Sequence, residues 1–176
     1  MLVVPAALHA IATDLQQRLQ PHQTHLPLGE HVLSINGEDL RFPARLYVPP
    51  SVLFKVASQL TGDARSLCLC LAMRHYDGHV RQRAVEQLGP VDMAWAQAFH
   101  LALLGEYVDE VSQAVAVQAR HTGLATYAQL ARENPGFFRL AHQRAISYWN
   151  AYYRHRYPRH RQFPAVALLG DMIDYR

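Results

Sequence analysis

Two stretches, DGHVRQRAVEQL at 77–88 and GEYVDEVSQAV at 105–115, open in the same way. Each starts with polar or Gly turn residues and then sets Val at the head of an apolar stripe. The first stripe is Val80, Ala84 and Leu88, with Val85 beside it; the second is Val108, Val111 and Val115. Apolar residues three and four apart share one face of a helix. A single helical hairpin cannot bury such a face alone, so neighbours must stack on it. The pattern predicts a mainly α fold of stacked antiparallel helix pairs.

The flanks extend that reading. Upstream, SVLFKVASQL places Leu53, Val56, Ala57 and Leu60 on one helical face. Asp63 is the expected N-cap of the next helix. That helix, ARSLCLCLAMRHY, is apolar nearly all round and is expected to be the most buried. Downstream, 91–104 and 124–133 read as helices. Asn134-Pro135 marks a further start, because Asn caps and Pro at the first helical position loses no needed hydrogen bond. That helix is expected to run to Tyr157, just before Pro158. VALLGDMID predicts a last short helix.

The N-terminal third differs. Residues 6–19 carry an amphipathic helical pattern, and QPHQTHLPLG at 20–29 reads as loop. In HVLSINGEDLRF, Asn36-Gly37 separates two short runs, which is the signal of a two-residue type I′ hairpin turn. RLYV at 45–48 is expected to add a third short strand, giving a hairpin element over 30–48. The length of 176 residues predicts one domain, 1–176, large enough to bury a core without disulfides.

Composition excludes some classes. With half the residues hydrophobic and 18% charged, the chain is expected to be compact and ordered. Cys68 and Cys70, two apart in an apolar run, point to different sides of a helix and cannot share a metal or a disulfide. They read as buried thiols in a reducing cytoplasm. The apolar start MLVVPAALHAIA lacks a basic region and reads on into a helix, so no signal peptide is expected. No apolar run approaches the length of a membrane span.

From Asp77 to Val115 the chain resembles HEAT-like repeats. The match rests on Asp77, Val80, Arg81, Ala84 and Leu88; in the second copy Asp109 stands in place of the Arg and Ser112 in place of the Ala. The resemblance implies an α-α superhelix whose face binds a protein or a nucleic acid.

The second unusual stretch is SYWNAYYRHRYPRHRQF at 147–163. Arg pairs with phosphate in a bidentate way, and aromatic rings stack on bases. Arg154, Arg156, Arg159 and Arg161, with Trp149, Tyr152 and Tyr153, are therefore the candidate contacts for an anionic partner. Against this, Phe138, Ala141, Ala145, Tyr148, Trp149 and Tyr152 fall on one helix side as core would. Lys55 is the only lysine among 17 basic residues, an Arg bias that codon usage in a GC-rich genome also produces. The net charge of +3 is too small to demand nucleic acid by itself.

Catalytic and metal motifs are missing from the sequence. His75 and His79 have the spacing of a helical zinc pair, but Asp77-Gly78 between them should break the helix. No HExxH, P-loop, GxGxxG or GxSxG occurs. Glu106, Asp109 and Glu110 complement a helix dipole more simply than they form an acid–base pair. No cofactor is expected. The leading expectation is a non-catalytic module that binds a protein partner through a helical-repeat face, with loop 20–29 and the hairpin as contact elements. Nucleic-acid binding through the arginine cluster is the alternative, and an enzyme whose site forms only in three dimensions is the third reading.

Overall fold

The computed structural model describes residues 2–175. They form a mainly α protein with a small antiparallel hairpin near its N-terminus. The helices are α1 (His9–Leu19), α2 (Pro50–Ser58), α3 (Gly62–Ala72), α4 (Gly78–Leu88), α5 (Ala94–Leu104), α6 (Asp109–Thr122), α7 (Ala125–Glu133), α8 (Pro135–Tyr148) and α9 (Pro164–Asp174). The strands are β1 (Glu30–Ile35) and β2 (Glu38–Pro43). The chain divides into two compact units, Met1–Gly89 and Pro90–Arg176.

In the first unit α3 is the centre, with α1, α2 and α4 packed on it. Leu67 through Ala72 are all buried, as an all-round apolar helix requires. The hairpin turn has φ of 52° at Asn36 and 84° at Gly37, the two positive values of a type I′ turn. Its register runs unbroken from Ile35 opposite Glu38 to Glu30 opposite Pro43. Leu33, Ile35, Leu40 and Phe42 face inward. The expected third strand does not form. Leu46 makes one parallel bridge to His75, and Pro43 before it and Pro49-Pro50 after it leave no room for a ladder. The hairpin element is therefore 30–43.

One helix start needs correction as well. Thr61, not Asp63, is the N-cap of α3; Gly62 already begins the helix, so Asp63 lies in its first turn beside the positive end of the dipole. At α4 the cap is Asp77, whose Oδ1 accepts from the His79 amide at 2.8 Å.

In the second unit α5 is the centre, with α6, α7, α8 and α9 around it. Every residue from Ala96 to Leu104 is buried, so α5, not α3, is the most enclosed helix. The reason is tertiary: four neighbours cover α5, and they enclose even Gln97 and His100, each of which keeps one hydrogen bond, to the Val91 carbonyl and to Tyr127 Oη respectively. Gly105 ends α5 where a Cβ would stand 3.2 Å from the Ala141 Cα of α8, so a side chain there would require α8 to give by a few tenths of an ångström. The two similar helix starts of the sequence head α4 in the first unit and α6 in the second.

Candidate functional site

The stretch 147–163 does not continue α8 to Tyr157 as its pattern suggests. The α-helix ends at Tyr148 and Trp149–Tyr153 form a π-helical turn. A π turn takes up extra residues and so rotates whatever follows it. Phe138, Ala141 and Ala145 lie on the buried side of α8, as expected. Tyr152, assigned to that same side, is instead 58% exposed, and Tyr153 and Tyr157 turn inward in its place.

What they turn toward is Asp109, the first residue of α6. Its side chain is 1% exposed, yet it is an ionisable group in a core. Its Oδ2 accepts from Tyr157 Oη at 2.9 Å, from Gln113 Nε2 at 2.9 Å and from Arg156 Nη1 at 2.9 Å. Its Oδ1 is 3.5 Å from Ser112 Oγ. Tyr153 Oη donates to the Tyr107 carbonyl at 2.6 Å and accepts from the Asp109 amide at 3.3 Å. A buried carboxylate is tolerable only when its lone pairs are filled in this way. Burial raises the Tyr157 hydroxyl above its ordinary pKa, and the bond to Asp109 pushes the same way. Burial raises Tyr153 too.

The seven sequence candidates therefore separate. Arg156 is spent on Asp109, although its own side chain is half exposed. Tyr153 is spent on the 107–109 backbone. Trp149 donates its indole N–H to the Tyr157 carbonyl at 2.8 Å and carries Arg154 over its ring at 5.7 Å. Arg154 also reaches Asn150 Oδ1 at 3.3 Å. Arg159 caps a short 3-10 turn at His160–Gln162 through its backbone. Arg154, Arg159 and Arg161 stay exposed, and none of them pairs with a carboxylate among the described residues. With Tyr152 they are the part of the cluster still open to an anion.

A second feature lies in the first unit. Loop 20–29 borders an open depression of about 300 Å³, at the low end of the range for ligand-sized clefts. Leu19, Leu46 and Leu71 line it with Leu26 and Pro27 from the loop, and Gln16, Gln20 and Gln23 add polar groups. Among the described residues, no titratable side chain lines it. Leu26 is 86% exposed and Leu28 is 69% exposed. Two large aliphatic side chains exposed within three residues of one loop are surface that an apolar partner can cover.

The remaining candidates are structural. Buried Cys68 and Cys70 are free thiols; burial pushes Cys68 up to about 12 and raises Cys70 further. Thiols held this far from the thiolate are poor nucleophiles. His75 accepts from the Asp77 amide at 3.1 Å. No group of three or more His, Cys, Asp or Glu side chains is placed to hold a metal ion among the described residues. None of the described helices is long and apolar enough to cross a membrane.

No family model, curated protein or solved structure matches the chain.

Proposed function

We propose that the chain is a non-catalytic module that binds a protein partner, with the contact centred on the depression beside loop 20–29. The observation that carries this is the exposure of Leu26, which lines a hollow whose described residues are mostly aliphatic and carry no charge, and of Leu28 two residues further along the same loop. Burying two leucines on association gains roughly 1.5–3 kcal/mol each, enough to anchor a contact. Among the described residues the lining offers no nucleophile, acid or base, which favours binding over chemistry. The complementary partner segment is apolar and uncharged where it enters. Exposed apolar residues on the helices, such as Val117, Leu140 and Ile173, lie on separate elements and make a weaker case for a helical face. The HEAT-like likeness over 77–115 also supports a protein partner, since such helical stacks bind along a face. The free thiols suit a reducing compartment such as the cytoplasm.

Affinity capture from lysate with nuclease present, comparing the wild type with the double variant Leu26→Asp/Leu28→Asp, tests the reading. A stoichiometric protein retained by the wild type and lost with the variant is expected. A set of captured proteins that ignores the substitution would remove the proposal.

A second reading rests on its own observation. Among the described residues Arg154, Arg159 and Arg161 are exposed without carboxylate partners, and Tyr152 of the same stretch is exposed as well. That is the composition of a surface for single-stranded nucleic acid.

A further inference from the structure

We propose that Tyr107, Tyr148 and Tyr152 form a stacking surface for the bases of a single-stranded nucleic acid whose phosphates meet Arg154, Arg159 and Arg161. The proposal rests on the nucleic-acid reading above and adds to it the residues that take the bases. The three rings touch in sequence. Tyr107 precedes α6 and meets the ring of Tyr148, the last residue of α8, edge to face with 6.1 Å between centroids. Tyr148 and Tyr152 lie four residues apart, with centroids 6.4 Å apart and ring planes tilted by only 22°. Tyr107 is 52% exposed, Tyr152 is more so, and Tyr148 is half-buried between them. Tyr153 and Tyr157 spend their hydroxyls on the start of α6. The hydroxyls of Tyr107, Tyr148 and Tyr152 make no hydrogen bond among the described residues. An aromatic face open to water suits an unstacked base, and it accepts any base because every base has a π-face.

The cations continue the row. Arg154 follows Tyr152 by two residues, which holds their Cα atoms within about 7 Å of each other. Its guanidinium lies over the Trp149 ring at 5.7 Å, and the other contact of that ring is His160 at 5.6 Å. Arg159 and Arg161 flank His160 in the chain. Rings and guanidinium groups thus follow one another around the end of α8, as bases and phosphates do along a strand.

Charge selects the occupant. Over 134–170 the chain has six arginines and no Asp or Glu, and all six arginines are exposed. Only Arg156 meets a carboxylate among the described residues. Of the acids next to Tyr107 in the chain, Glu106 is buried, Asp109 is neutralised by Arg156, and Glu110 faces water. The balance calls for an anionic partner. An acidic peptide would use the arginines and leave the ring faces idle. A proline-rich peptide would use the rings and not the charge. An anionic membrane takes up aliphatic side chains, and 147–163 has no Leu, Ile, Val or Met. A duplex presents base edges in its grooves and keeps base faces in the stack. Of these, a single strand is the partner that uses both charge and rings.

Fluorescence anisotropy of the full chain with two labelled strands tests the idea. One is an oligonucleotide of about ten nucleotides, within the span of single-strand sites; the other is an abasic strand of the same length and charge. The wild type should bind the base-bearing strand at least about tenfold more tightly than the abasic one. Tyr107→Ala should weaken the base-bearing strand about fivefold or more and leave both the salt slope and the abasic affinity unchanged. Tyr107→Trp, which keeps a stacking face, should bind at least as tightly as the wild type. Tyr152→Ala should repeat the Tyr107→Ala loss at a residue whose exposure spares the fold, and circular dichroism checks both variants. Equal affinity for the two strands, or a Tyr107→Ala chain that matches the wild type, overturns the stacking surface while the arginine contacts stand. A chain that binds neither strand overturns both. Polyglutamate or phosphatidylserine vesicles that compete as well as the oligonucleotide would assign the surface to another anion and equally overturn the proposal.

Discussion

His100 sits at the centre of α5 with no exposure to water, and its Nδ1 lies 2.7 Å from Tyr127 Oη. Burial lowers its pKa to about 4. Its imidazole is thus neutral in the folded protein, while an unfolded chain protonates it near pH 6.5. Between those values the unfolded state binds more protons, so stability rises with pH across the window. The contribution is present above about 6.5 and is lost as the pH falls toward 4. Urea midpoints measured from pH 7 down to pH 4 should show a loss of roughly 3 kcal/mol from this group. In His100→Asn, which keeps a polar group near Nδ1 but cannot titrate, the acid slope should flatten by that amount. An unchanged slope would show that His100 is not the acid-sensitive group. Burial lowers His75 and His142 too, so a smaller slope of the same sign should persist in the variant.

At the scale of elements, the decisive tie is between the start of α6 and the turn that follows α8. Three side chains from 153–157 converge on 107–109, more than forty residues away in sequence. The contributions are unequal. Asp109→Ala leaves Tyr157, Gln113 and Arg156 without their acceptor. Loss of a whole buried pair costs about 3–5 kcal/mol, but Arg156 is half exposed and recovers water. A destabilisation of about 2–3 kcal/mol is expected. Arg156→Ala leaves the carboxylate still held by Tyr157 and Gln113 and should cost about 1 kcal/mol or less. Urea unfolding of the two variants checks the order. If Arg156→Ala costs as much as Asp109→Ala, the ion pair and not the hydroxyl network holds the segment. The π-helical turn decides which tyrosine joins the network, because it replaces Tyr152 with Tyr153 on the inner side. A strict helical period through 157 assigns these rings wrongly for that reason.

For the whole molecule, the charge available to a partner is smaller than composition suggests. Of the four arginines proposed for anionic contact, Arg156 is neutralised by Asp109, and three remain. If the chain binds single strands, log K against log salt should have a slope of roughly −2, from about −0.7 for each of three neutralised phosphates. Arg154→Ala, Arg159→Ala and Arg161→Ala together should bring that slope near zero, whereas Arg156→Ala should hardly change it. Fluorescence anisotropy with a labelled oligonucleotide reads both. A slope that survives the triple substitution would place any nucleic-acid contact elsewhere.

Helix content, the hairpin and its turn were legible because they depend on local chemistry. Apolar spacing sets a helical face, and Asn36-Gly37 can adopt positive φ without strain. Cys68 and Cys70 were legible as buried thiols from the apolar run that holds them. The division at Gly89, the enclosure of α5 and the fates of Arg156, Tyr152 and Tyr153 were decided only by tertiary structure. Each depends on what lies across space. A helix becomes central when other helices surround it, and an arginine is spent when a distant carboxylate reaches it. The exposure of Leu26 and Leu28 belongs to the same class. Local sequence states that a leucine is apolar; only packing determines whether the folded chain leaves it uncovered.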